Sequence, residues 1–203
     1  MKIRDYNYRD IDGKFVAVNN ADKFLLKMGI HDIEESFIVY VYTDDKRGIM
    51  LRILGDMVDK SNREYIEEKI KLANYDLIED LDIDILNEIE HIHIKEEEAK
   101  NHLKFDENNK TVYKVRNRKE IDNLRSRIFP DDINIVIPYK EGYVEKIWAR
   151  SFDYIQKENI YILSLLKDSV YDENLKKDSL VACKYFNNGK SEALIFLGVT
   201  EIL

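Results

Sequence analysis

Alternation of apolar and polar residues is clearest over 133–203, which reads as successive β-strands. Ile133, Ile135, Ile137 and Tyr139 alternate as one strand, and Pro138, which has no backbone N–H, points to an edge position. Residues 144–155 and 160–166 flank a loop at 156–159 as a hairpin, and 180–186 and 191–201 flank Asn188-Gly189 as another. Asn-Gly suits a two-residue type I′ turn, whose central residues both take positive φ. Such a turn sets Asn187 opposite Lys190, followed by Tyr185–Glu192, Cys183–Leu194 and Val181–Phe196 on one face. Away from the turn both faces are apolar, which predicts a hairpin base covered on both sides and a tip in water.

The first half carries more helical spacing. A short strand is expected at 14–18, then a helix capped by Asn20, with Ala21, Phe24, Leu25 and Met28 on one face and Gly29 as its stop. Residues 37–43 read as a strand leading to a turn at 44–48. Residues 49–54 read as its antiparallel return or as an early helix. Ser61 and Glu64 form a capping box before a helix over 62–74. Ile78, Leu81, Ile85 and Ile89 again fit helical spacing, and Ile92 and Ile94 alternate as a strand, although one long helix also fits. A further helix is expected over 117–129, with Ile121, Leu124 and Ile128 inward and Pro130 beyond its end.

The fold expected is therefore α+β: a helix-rich N-terminal half with a small sheet, and a C-terminal antiparallel β-sheet with a packed helix. The polar stretch at 105–115 divides the chain into an N-terminal subdomain, 1–105, and a C-terminal one, 106–203, unless the two are continuous.

Certain residues of the C-terminal part carry a likeness. They are Glu145-x-x-Trp148, the run Leu165-Leu166-Lys167-Asp168-Ser169-Val170-Tyr171, and Leu175-Lys176-Lys177-Asp178-x-x-Val181. In these elements residues 117–203 resemble the YegJ-like group, a bacterial domain of unknown function. The chain departs from that pattern at Lys177, where the group carries Gly, and after Cys183, where it carries an Asp-Trp-Met run. The resemblance implies a shared fold and no activity.

Composition narrows the function classes. Of 203 residues, 44% are hydrophobic and 35% charged, as in a globular protein. No apolar run approaches the roughly 20 residues of a membrane helix, and the N-terminus has no signal-peptide core. A single cysteine forms no internal disulfide, so a cytoplasmic location is expected. The net charge of −8 is concentrated: residues 76–107 hold 12 acids against Lys95, Lys100 and Lys104. This argues against nucleic acid as a partner and for a protein with a basic surface.

Candidate chemistry is sparse. His91 and His93 would share a face of a strand, with His102 or a nearby carboxylate completing a metal set. The plainer alternative is a polar edge strand. Asp80, Asp82 and Asp84 would line up on a strand as a cation site, whereas on a helix Asp80 and Asp84 form a wetted face. Cys183, inside an apolar strand, reads as core rather than nucleophile. Arg118, Lys119, Arg125 and Arg127 could touch phosphate or sit against acids of the fold. Tyr40, Tyr42, Phe152 and Tyr154 could stack a ligand or fill a core.

No nucleophile elbow, phosphate loop or dinucleotide fingerprint is present, and no cofactor is implied. The function expected is a non-enzymatic binding module of immunity or inhibitor type. Its acidic surface would centre on Asp80, Asp84 and Glu88. A metal-dependent hydrolase using His91 and His93, or a small-ligand-binding domain, are the alternatives.

Overall fold

The structure, a computed structural model, describes residues 1–19, 36–44, 46–56, 72–74, 80–86 and 110–200. Over these residues the chain is predominantly β, and the helix-rich N-terminal half is not what forms. The chain divides into two compact units: Met1–Asp106 with Arg127–Phe129, and Glu107–Ser126 with Pro130–Leu203.

Unit 1 is built on an antiparallel sheet of β1 (Phe15–Asn19), β2 (Phe37–Asp44), β3 (Gly48–Asp56), β4 (Leu72–Asn74) and β5 (Asp82–Leu86). Their spatial order is β4-β3-β2-β1-β5. One face buries Val16, Val18, Val39, Val41, Leu51 and Ile83. The N-terminal 3-10 turn Ile3–Asp5 and the short helix α1 (Tyr8–Ile11) close on it through Ile3, Tyr8 and Ile11. Asn7 caps α1 by accepting from the Arg9 N–H, and Asp10 accepts from the Asn7 N–H in return. Ala17, Ile38, Tyr40 and Met50 on the opposite face are buried too, as in a strand pair covered on both sides.

The turn from β2 to β3 falls at the expected place. Asp44 accepts from the N–H groups of Lys46 (2.9 Å) and Arg47 (2.7 Å), and Gly48 adopts φ +75°. Ile49 N–H donates to the Ile128 carbonyl (2.9 Å). A Cβ on residue 48 would collide with that carbonyl oxygen and come within 2.9 Å of the Phe129 ring, so the site takes glycine alone.

A helix expected in this half gives way to a strand, β5. The spacing of Ile78, Leu81, Ile85 and Ile89 also contains a period of two, with Leu81, Ile83 and Ile85 alternating with Asp80, Asp82 and Asp84. Pairing decides between the two readings. β5 gains β1 on one side, while on the other Ile3 N–H donates to the Leu81 carbonyl and Ile83 N–H to the Met1 carbonyl. The end of the helix expected over 62–74 is β4, paired to β3. The remainder of that helix, the helix capped by Asn20 and the strand of Ile92 and Ile94 lie outside the described residues.

Unit 2 is a closed five-stranded barrel of β6 (Asp132–Pro138), β7 (Val144–Ile155), β8 (Ile160–Leu165), β9 (Leu180–Asn187) and β10 (Glu192–Val199). Consecutive strands pair antiparallel, so the first and fifth run the same way, and closure through β10 and β6 is parallel. Pro138 therefore stands at the end of a strand with two neighbours rather than on an edge. Offsets in pairing at 151/153 of β7 and 196/198 of β10 supply the bends that closure needs. Ile133, Ile135, Ile147, Tyr161, Leu163, Val181, Cys183 and Leu194 fill the interior. Apolar residues on the outer wall, among them Phe186, Leu197 and Val199, are exposed. Both faces of the base of the last hairpin are apolar, but only the inner one is buried, at Val181, Cys183 and Leu194.

The last hairpin is shifted from its expected register. Asn187 pairs with Glu192, Tyr185 with Leu194 and Cys183 with Phe196, so the loop has four residues. Gly189 takes φ +81°, while Asn188 is not among the residues of positive φ, and no type I′ turn forms. Asparagine side chains account for the longer loop: Asn187 Oδ1 accepts from the Gly189 N–H, and Asn188 Oδ1 from the N–H groups of Lys190 and Ser191. Because the shift is two residues, each side chain keeps its face.

The helix expected over 117–129 is also corrected. An α-helix, α2 (Lys110–Arg116), ends just before that segment, and Lys119–Leu124 is a 3-10 turn. Ile121 still points inward and is fully buried. Beyond the turn Arg125 bridges to Ile133 and anchors the chain, its guanidinium donating to the carbonyls of Val115 (2.7 Å) and Pro130 (2.7 Å).

Candidate functional site

Two surfaces carry chemistry, one on each unit. On unit 1, β5 places Asp82 and Asp84 on one face, with Asp80 in the turn before it. Their surroundings differ from an uncompensated acidic face. Asp80 pairs with Arg4 at 2.5 Å, Asp82 with Lys2 at 3.0 Å, and Asp84 accepts from the Asn19 amide at 3.1 Å. All are solvent-accessible, so the pairs are weak and screened by salt. Three carboxylates thus meet two cations and one amide, and the partners come from the first 19 residues. Glu88 lies outside the described residues, as do His91, His93 and His102. Among the described residues no group of three or more His, Cys, Asp or Glu side chains is placed to hold a metal ion.

On unit 2 a buried carboxylate organises the loop between β8 and β9. Glu145 lies on β7, facing in, and is almost fully buried. Its Oε2 accepts from the Ser169 hydroxyl (2.6 Å) and the Tyr139 hydroxyl (2.9 Å), and its Oε1 from the Val170 N–H (3.1 Å). Ser169 Oγ in turn accepts from the N–H groups of Tyr171 and Asp172, both at 3.1 Å. Burial opposes ionisation of Glu145, but these three donors outweigh it and hold its carboxyl below the ordinary range. Burial, together with the hydrogen bond to Glu145 and its charge, pushes the Tyr139 hydroxyl up.

The cluster fixes an exposed aromatic pair. Tyr143 follows the β6–β7 turn, in which Tyr139 N–H donates to the Tyr143 carbonyl and Gly142 takes φ +84°. Tyr171 follows the pinned Ser169-Val170. The two rings stack at 5.9 Å and 10°, and Tyr139 packs against Tyr171 at 5.5 Å. Tyr143 and Tyr171 remain 60% and 58% exposed, with Val144 at 59% and Val170 at 76% beside them in sequence. Aromatic side chains held this far in water by a buried network resemble the anchors of protein interfaces.

The remaining candidates are structural. Cys183 is fully buried in the barrel, and burial pushes its thiol up to about 12. Arg118 pairs with Glu120 and lies over the Tyr154 ring at 4.6 Å, while Tyr161 donates to the same Glu120. Arg125 is buried against Asp122. The acids that these arginines meet are thus local ones, Glu120 and Asp122. Tyr40 and Tyr154 are core, and Phe152 stands on the outer wall.

Tyr143 and Tyr171 carry no motif signal for binding, and the aromatic candidates of the sequence, Tyr40, Tyr42, Phe152 and Tyr154, all fall in strands. The available signal was position: these tyrosines stand in connections, where binding residues concentrate. Among the described residues no helix is long and apolar enough to cross a membrane. No known protein-family model matches the chain, nor does any curated protein or solved structure.

Proposed function

We propose that the chain is a protein-binding module for a basic partner, with an immunity- or inhibitor-type role as its concrete form. The observation that carries this reading is the partition of charge between the units. Unit 2 holds 15 basic and 15 acidic residues, so the whole net charge of −8 belongs to unit 1. A field of one sign on one unit steers an oppositely charged partner and raises its association rate, while a neutral unit offers contact without repulsion. Within the acidic segment, Asp84 on β5, and Asp80 and Asp82 through weak exposed pairs, are the described carboxylates that contribute.

Capture from a lysate of the source organism at low and at high salt identifies the partner, and kinetics with that purified protein follow. The expected result is a basic protein whose association rate falls as salt rises. Asp80→Lys with Asp84→Lys should slow association several-fold and flatten the salt dependence. A partner without excess positive charge, or rates indifferent to both substitutions, would end this reading.

A further inference from the structure

The described residues repeat one arrangement. A guanidinium lies over a tyrosine ring at Arg9–Tyr8 (4.9 Å), Arg116–Tyr113 (5.1 Å) and Arg118–Tyr154 (4.6 Å). In both cases on unit 2 the same guanidinium also pairs with a carboxylate, Arg116 with Asp131 and Arg118 with Glu120. Ring face and carboxylate together satisfy a flat cation that is only weakly hydrated.

Tyr143 and Tyr171 bring together the first two parts of that arrangement in water. Within two residues of either ring stand Glu141, Glu145, Asp172 and Glu173, and no basic residue. Glu145 is spent on its own network, while Glu141 and Glu173 are exposed. Among the described residues no cation lies over either ring. The rings are stacked and footed on the Glu145 cluster, so little ordering remains to oppose binding.

We propose that the Tyr143–Tyr171 pair, with the exposed carboxylates of Glu141 and Glu173 each two residues from a ring along the chain, is a docking platform for an arginine side chain of a basic protein partner. This rests on the basic-partner reading and adds the contact point on unit 2. Steering by unit 1 sets how fast the partner arrives, and the platform sets how long it stays.

The test titrates the full chain with the peptide acetyl-Gly-Arg-Gly-Arg-Gly-amide, following side-chain and backbone signals by NMR. A second peptide with citrulline in place of arginine keeps the shape and removes the charge. The expected result is saturable shifts at Tyr143 and Tyr171, weakened about two- to fivefold with citrulline. The shifts should be lost in Tyr143→Leu. Glu141→Gln with Glu173→Gln, two exposed positions, should weaken binding without altering the fold. Equal binding of the citrulline peptide, or unchanged binding by both variants, overturns the platform. Shifts confined to Asp80, Asp82 and Asp84 overturn the platform and leave the basic-partner reading standing. Shifts at neither surface count against both.

Discussion

Replacing Glu145 by glutamine keeps the shape of the side chain and removes one acceptor. In the wild type, three donors converge on the carboxylate, from Ser169, Tyr139 and the Val170 backbone. A glutamine has one oxygen. If that oxygen serves the Val170 N–H, the amide NH2 faces two hydroxyls, and Ser169 Oγ is already accepting from Tyr171 and Asp172. If it serves the hydroxyls, the NH2 faces the Val170 N–H, donor against donor. Either way at least one charge-assisted bond is lost in a buried place, a cost of about 2 kcal/mol.

Urea unfolding followed by the fluorescence of Trp148, the only tryptophan, reports on the barrel that holds it. The midpoint should fall by about 1 M for a slope near 2 kcal/mol/M. The folded-state pKa of Glu145 lies below its unfolded value, so its contribution is present above the unfolded value, about 4.3, and is lost as pH falls through the folded one. The gap between wild type and Glu145→Gln should therefore close in strongly acidic solution. A midpoint unmoved at pH 7, or a gap that persists undiminished at pH 2, would refute the account of this cluster.

Three further outcomes are expected. Gly48→Ala forces a Cβ onto the Ile128 carbonyl at φ +75° and should cost about 2–4 kcal/mol, seen as faster amide exchange at Ile49. Gly189→Val meets nothing within 4 Å, so only its φ of +81° counts; a loss of about 1–2 kcal/mol in urea unfolding is expected, and less for Gly189→Asn. Cys183, with its thiol raised to about 12, should label with a disulfide reagent at pH 8 about a thousandfold more slowly in native protein than in urea, from thiolate content alone.

Strands that alternate over five or more residues, such as β6 and the first part of β7, are legible because one face of each is buried and the other is not. The helical spacing over 78–89 misleads because its apolar residues satisfy two periods at once. Leu81, Ile83 and Ile85 alternate, yet Leu81 and Ile85 also stand four apart, and only pairing with β1 and with Met1–Ile3 resolves the choice. Local sequence likewise named the Asn188-Gly189 turn but not its length, which the side chains of Asn187 and Asn188 set by accepting backbone N–H groups. The acids of β5 and of the turn before it are visible in the sequence, while their partners Lys2 and Arg4, more than 70 residues earlier, are not. Glu145 and Ser169 stood out only as shared residues of a resemblance; that one pins the loop of the other is a contact across 24 residues.

The carboxylates of β5 have a second physical role, which bears on how a recognition test is read. β5 ends the strand order, and its outer side is paired by Met1–Ile3, so its carboxylates also help to hold the N-terminal segment onto the sheet through Lys2 and Arg4. The local pairing and the recognition role separate by distance dependence. A pair with Lys2 or Arg4 acts at contact and, being exposed, is weak. Long-range steering depends on sign and is screened over about 10 Å at 0.1 M salt. The Arg4–Asp80 pair is exposed at 49% and 71%, so breaking it costs little stability. Asp80→Lys with Asp84→Lys therefore leaves the Lys2–Asp82 pair and the sheet intact while halving the net charge of unit 1 from −8 to −4. A change in association rate from this variant belongs to electrostatics, not to a damaged strand.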